Sequence, residues 1–160
     1  NNFNLGALSV VNSFGSTTIS DTKFFWASPF EIDDEFGGLG LPKEKIKNNF
    51  FFKSKAIKIK RENTTLAVVA TDAKLTQAEA TRVSIIAHDG IARSIYPSHT
   101  QFDGDIVFTI STGKKKLKKP QEDLVTIGNA AAICVCRSIA RAIYNATPEK
   151  NDLKNCWKEL

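Results

Sequence analysis

The 160-residue chain has no methionine, and it has only two histidines, three cysteines and five prolines. It opens on Asn1, so the expectation is that it continues a longer product from which an upstream part is separated. Cys134 and Cys136 lie two apart in a helical stretch and point to different sides, and Cys156 stands alone. With two histidines and no ligand spacing, neither a zinc site nor any other metal or cofactor is expected. Free thiols fit a reducing, cytoplasmic setting. No run reads as apolar enough to cross a bilayer and no secretory signal opens the chain, so no membrane partner is expected.

What is present is ordinary for a globular chain: 42% hydrophobic and 24% charged residues, enough for one domain with a substantial core. The net charge of +5 invites a nucleic-acid reading. Much of the excess, however, sits in Lys114-Lys115-Lys116-Leu117-Lys118-Lys119, between Gly113 and Pro120, which reads as a solvated loop. No aromatic platform accompanies it, and no nucleic-acid partner is expected.

Along the chain, residues 5–14 read as a strand and residues 15–21 as turns. An aromatic stretch, Phe24-Phe25-Trp26, follows and reads as packing or subunit contact. The glycines of residues 37–42 form a loop and not a nucleotide cradle, because no strand precedes them in register and Pro42 falls where a helix would open. Residues 51–60 contain an alternating strand pattern, and residues 66–70 a continuous apolar strand buried on both faces. Thr76-Gln77-Ala78-Glu79 fits a capping box, with Val83, Ala87, Ile91 and Ile95 at helical spacing behind it and a stop before Pro97. Residues 106–111 form another strand, and residues 124–144 an alanine-rich helix whose small face suits close packing on a sheet. The tail after Pro148 is polar and expected to order only on a partner, and its Trp157 carries no signal. The element order predicts a layered α+β domain.

Two segments carry chemistry. Asn63-Thr64-Thr65-Leu66 sets a hydroxyl pair directly before the apolar strand. If the Asn63–Thr64 bond breaks, Thr64 gains a free α-amine. That amine has a pKa of about 8 and can act as base toward its own hydroxyl. Phe102-Asp103-Gly104-Asp105 sets two carboxylates before the next strand, with Gly104 permitting an unusual backbone angle. Close carboxylates repel, so one of the two is expected to hold a proton, as a relay beside a hydroxyl requires. One crossover helix separates the two strands, which makes them neighbours and brings the segments together. His88 and His99 read as structural or surface residues, with His99 within reach of the Asp103 turn.

Together with Ala87-His88-Asp89-Gly90-Ile91-Ala92-Arg93, His99-Thr100-Gln101-Phe102-Asp103-Gly104-Asp105, Leu8-Ser9-Val10-Val11-Asn12-Ser13-Phe14-Gly15 and Trp26-Ala27-Ser28-Pro29-Phe30-Glu31, these segments resemble the L-aminopeptidase/D-esterase (DmpA-like) family. The likeness is greatest to its nylon-oligomer hydrolase and β-peptidyl aminopeptidase members. The resemblance implies an αββα four-layer sandwich of the N-terminal-nucleophile type and autocatalytic cleavage between Asn63 and Thr64. Residues 1–63 would end an α-subunit and residues 64–160 form a β-subunit. It implies Thr64 as nucleophile, Asp103 and Asp105 orienting it and relaying protons, and Asn12 as oxyanion donor. Peptides, amides and esters are the implied substrates, and processed units are expected to associate into a homo-oligomer. Family members carry a further segment ahead of the part present in this sequence. A truncated, inactive relative and an acyltransferase to an amine acceptor are the alternatives.

Overall fold

In the computed structural model, residues 2–20, 22–44, 63–150, 152 and 155–160 are described. The strand expected within residues 51–60 lies outside them. Among the described residues, three strands form one sheet in the order β1 (Leu5–Asn12), β2 (Thr64–Ala73), β3 (Ile106–Lys115). β1 runs antiparallel to β2, with Asn12 opposite Thr64, and β2 runs parallel to β3, with Leu66 opposite Ile106. The two helices, α1 (Gln77–Ser94) and α2 (Pro120–Asn145), pack on each other and on one face of the sheet.

The local reasons are legible in the residues. Thr76 and Glu79 close the capping box expected for α1. Pro120 opens α2 at a position where its missing N–H costs nothing, four residues before the expected start. β3 runs on into the lysine run, and Lys115 pairs with Asp72 at 2.9 Å, so the solvated loop is shorter than the sequence suggests.

Ala67, Val69, Val107, Val83, Ala87, Ile91, Ala131, Val135 and Ile139 form the core between sheet and helices. Each helix is also tied to the sheet by a hydroxyl pair, Ser9–Ser138 at 2.6 Å and Ser84–Thr109 at 2.7 Å. The small residues of α2 serve a different contact from the one expected. They let α1 approach, not only the sheet: a β-carbon on Gly90 would sit 2.2 Å from the Ala132 carbonyl oxygen.

α2 is long and apolar enough, by length and composition, to cross a bilayer, which corrects the expectation that no segment is. Its Ile127, Ala131, Val135, Ile139 and Ala140 are buried, as in the core helix of a globular domain. Burial of residues 66–70 on both faces is corrected as well. Among the described residues, helices cover one face only, and on the other Leu8 is 71% exposed and Phe108 53%, beside the exposed Val10, Leu66, Ile106 and Ile110.

The described end of the tail packs on the chain itself. Trp157 stacks on Phe25 at 5.9 Å and meets Tyr144 at 4.6 Å, and its indole N–H donates to the Lys23 carbonyl at 3.0 Å. Phe25 also packs edge-on against Phe36 in a second small core with Cys136 and Ala140. Glu35 pairs with Arg137 and Arg141 and fixes this layer to α2.

Replacing Gly90 by Ala tests the helix contact. Alanine improves helix propensity by about 1 kcal/mol, but the clash is with backbone and cannot relax by rotation. A net loss of about 2 kcal/mol is expected. Urea unfolding reads it, and an unchanged midpoint would rule out the close α1–α2 approach.

Candidate functional site

The parallel β2–β3 pair starts both strands at the same end of the sheet, and β1 ends there. Three chain segments therefore meet: the exit of β1 at Asn12, the entry of β2 at Asn63–Thr65, and the turn before β3. Asn63 bridges to Asp103, and the Gly104 N–H donates to the Asn63 carbonyl at 2.8 Å. The Thr64 hydroxyl donates to the same carbonyl oxygen at 2.7 Å. The carbonyl of the peptide bond singled out in the sequence thus accepts two donors. Both pull electron density toward its oxygen, and one of them is the hydroxyl next door.

The two threonines divide by the alternation of the strand. Thr65 is fully buried, its hydroxyl among the helix-facing core and without a partner among the described residues. Thr64 is half-buried and lies opposite the exposed Asn12, so these two share the uncovered face of the sheet. The carboxylates sit to one side. Asp103 accepts from the Phe14 N–H at 3.1 Å and from the Thr100 N–H and hydroxyl at 2.9 and 2.7 Å. Asp105 accepts from the Thr65 N–H at 2.9 Å through one oxygen and meets His99 Nδ1 at 2.9 Å through the other. Thr64, Asp103, Asp105 and Asn12 are gathered into one site.

Two features of that site go beyond the sequence reading. Gly104, read as permitting an unusual backbone angle, has no left-handed φ. Its value is room, since a β-carbon there would lie 3.1 Å from the Thr64 hydroxyl, together with its N–H on Asn63. His99, read as within reach of the Asp103 turn, meets it at Asp105, while the oxygens of Asp103 accept from Thr100 and Phe14. His99 also has a left-handed φ of 52°. Its part in the site was hidden in the sequence, where the only signal was its closeness to the acidic turn.

The loops around the site brace each other. Ser16 and Tyr96 exchange two backbone hydrogen bonds of 2.9 Å, and Phe14 stacks on Phe102 at 5.5 Å. A cleft lined by Lys74, Thr76, Glu79, Lys116 and Leu117 lies at the far end of β2 and includes none of these groups. Among the described residues, no cluster of side chains suits a metal ion.

The family model described as Peptidase family S58 matches residues 1–154. The chain belongs to this family. Three relatives, from Mycobacterium bovis, Mycobacterium tuberculosis and Mycobacterium leprae, each carry the description uncharacterized aminopeptidase. The first two are 36% identical over 155 residues, which is 90% of this chain and 44% of theirs. The third is 36% identical over 152 residues, 89% of this chain and 41% of its own. The chain thus spans less than half the length of the curated relatives it matches. S58 membership agrees with the resemblance carried by the Thr64, Asp103 and Asn12 segments.

The chain's other histidine, His88 on α1, packs against His99 with ring centroids 5.3 Å apart. Burial pushes the His88 imidazole below its ordinary range, and the His99 charge adds to this, while Asp105 and Asp89 oppose it. The folded chain therefore prefers neutral His88. As pH falls through about 6.5 the unfolded chain takes up this proton first, so stability falls with pH there and below, until folded His88 protonates too. Urea unfolding at about pH 7.5 and about pH 5.5 should show a smaller loss for His88→Gln than for the unaltered chain. Equal losses would mean that His88 titrates alike in both states.

Proposed function

We propose that the protein is a self-processing peptidase that cleaves its own Asn63–Thr64 bond and then uses Thr64 as an N-terminal nucleophile on peptide or amide substrates. The observation that carries this reading is the Asn63 carbonyl, which accepts the Thr64 hydroxyl at 2.7 Å and the Gly104 N–H at 2.8 Å. The S58 family and relatives described as aminopeptidases support it from the other side.

In the first reaction the Thr64 oxygen attacks the Asn63 carbonyl carbon, and Asp103 or Asp105 helps to take its proton. Charge builds on the carbonyl oxygen, where the Gly104 N–H already points, and such a donor is worth about 3 kcal/mol to the transition state. The acyl group moves from nitrogen to oxygen, and the proton goes to the departing amine. Water then hydrolyses the ester, leaving the Asn63 carboxylate and a free Thr64 amine and hydroxyl. In the second reaction that amine assists the hydroxyl against an external amide. Asn12, opposite Thr64 on the same face of the sheet, supplies an oxyanion donor, and water releases the acyl group.

The wider reading follows from the same proposal. The uncovered apolar face, with Leu8, Val10, Leu66, Ile106, Phe108 and Ile110, suits a second sheet and hence a four-layer αββα arrangement. Residues 1–63 and 64–160 become the two pieces of a cytoplasmic αβ unit that associates with its copies.

Intact-mass measurement and N-terminal sequencing of the whole protein test this. Two pieces are expected, one beginning Thr64-Thr65-Leu66. Thr64→Ala should stay whole, with cleavage slowed by a factor on the order of 10⁴ or more. Thr65→Val, which loses only an unpartnered buried hydroxyl, should be cut as before. A Thr64→Ala chain cut at the same bond would sink the scheme.

A further inference from the structure

We propose that His99 is a positioning residue for the Thr64 hydroxyl, acting through Asp105 on the backbone beside it. The proposal rests on Thr64 being the reacting residue and adds a group outside the set assigned to the reaction above. Four observations carry it. His99 Nδ1 lies 2.9 Å from one oxygen of Asp105, and the other oxygen accepts the Thr65 N–H at 2.9 Å. The Asp105 side chain is only 5% exposed, so water offers little in place of a lost partner. His99 holds a left-handed backbone, φ 52°, which is strained for a non-glycine residue. The His88 ring on α1 backs the imidazole at 5.3 Å, so the direction of His99 is set by a helix packed into the core.

The chain of constraint is short. His99 donates through Nδ1–H to Asp105 and fixes the plane of the carboxylate. That plane aims the second oxygen at the Thr65 N–H, which holds the peptide unit between Thr64 and Thr65 at its Thr65 end. At its far end the Thr64 hydroxyl lies in the space left by Gly104. Without the imidazole, a nearly buried carboxylate keeps one donor on one oxygen. It then rotates toward water. Its hold on Thr65 loosens, and misplacement of a reacting group by about 1 Å costs on the order of 100-fold in rate.

Two variants separate the side chain from the strained backbone. Asparagine and glycine both tolerate a left-handed φ, and only asparagine keeps a donor where Nδ1 stands. His99→Asn and His99→Gly are compared in the whole protein by two readouts: the rate of Asn63–Thr64 cleavage after cell-free synthesis, and hydrogen exchange at the Thr65 amide. His99→Gly should cleave about 10–100-fold more slowly and exchange the Thr65 amide about tenfold faster, with His99→Asn within about threefold of the unaltered protein in both. Glycine and asparagine variants that behave alike, whether both intact or both impaired, overturn the proposal. An unaltered protein that stays whole instead overturns the self-processing reading. In that case the Thr65 exchange, raised in the glycine variant alone, still upholds the His99–Asp105–Thr65 linkage, and equal exchange overturns it.

Discussion

The parallel pairing of β2 with β3 is the constraint on which the rest depends. Parallel neighbours begin at the same end of a sheet, so the residues before Leu66 and those before Ile106 must meet. That meeting puts the Gly104 N–H on the Asn63 carbonyl and the Asp105 carboxylate on the Thr65 N–H. The pairing needs a crossover, and α1 supplies it. Its place over the sheet is fixed less by the strands than by α2, against which it lies close enough to forbid a β-carbon at Gly90. A helix–helix contact at the back of the domain therefore sets the spacing of a hydroxyl and two carboxylates at its edge.

The sheet has two unlike faces, and the site straddles them. Thr65 points into the core with Ala67 and Val69, while Thr64 and Asn12 share the open face with Leu8, Val10 and Phe108. A hydroxyl on the rim of an apolar surface keeps contact with solvent while its strand is held rigid by the core beneath. Anything that covers the apolar face would leave Thr64 at the mouth of the resulting interface.

How far the sequence could be read differs from element to element. The capping box at Thr76–Glu79 and the neighbouring of β2 and β3 follow from local rules and crossover topology, and both are present. Asp103 and Asp105 could be tied to Thr64 for the same reason. The open face of β2 could not be foreseen, because a continuous apolar run reads the same whether its second face is covered or waiting. The partner of the small stripe on α2 was equally hidden, since periodicity names a face and not what it meets. Gly104 was legible only in part. Glycine marks either an unusual backbone angle or a close approach, and only coordinates separate the two. Trp157 was silent because its partners, Phe25 and Tyr144, lie far from it in the chain or across a turn.

The hydrogen bond from Thr64 to Asn63 has an unusual property under the proposed chemistry. A hydroxyl that donates to a carbonyl oxygen is near the right peptide but aimed at the wrong atom, since attack falls on the carbon. The bond restrains the nucleophile and polarises its target at once. Rotation of the hydroxyl proton away from the oxygen frees a lone pair for the carbon, and the Gly104 N–H, which does not move with the side chain, keeps the carbonyl polarised meanwhile. Once the bond is broken, the Asn63 carbonyl no longer constrains the hydroxyl, and the amine that replaces the peptide nitrogen stands on the neighbouring carbon. The restraint and the missing base are thus exchanged in a single event. Asp105 is untouched by that exchange, because its hold is on the next peptide along, and the strand that carries the nucleophile keeps its place before and after.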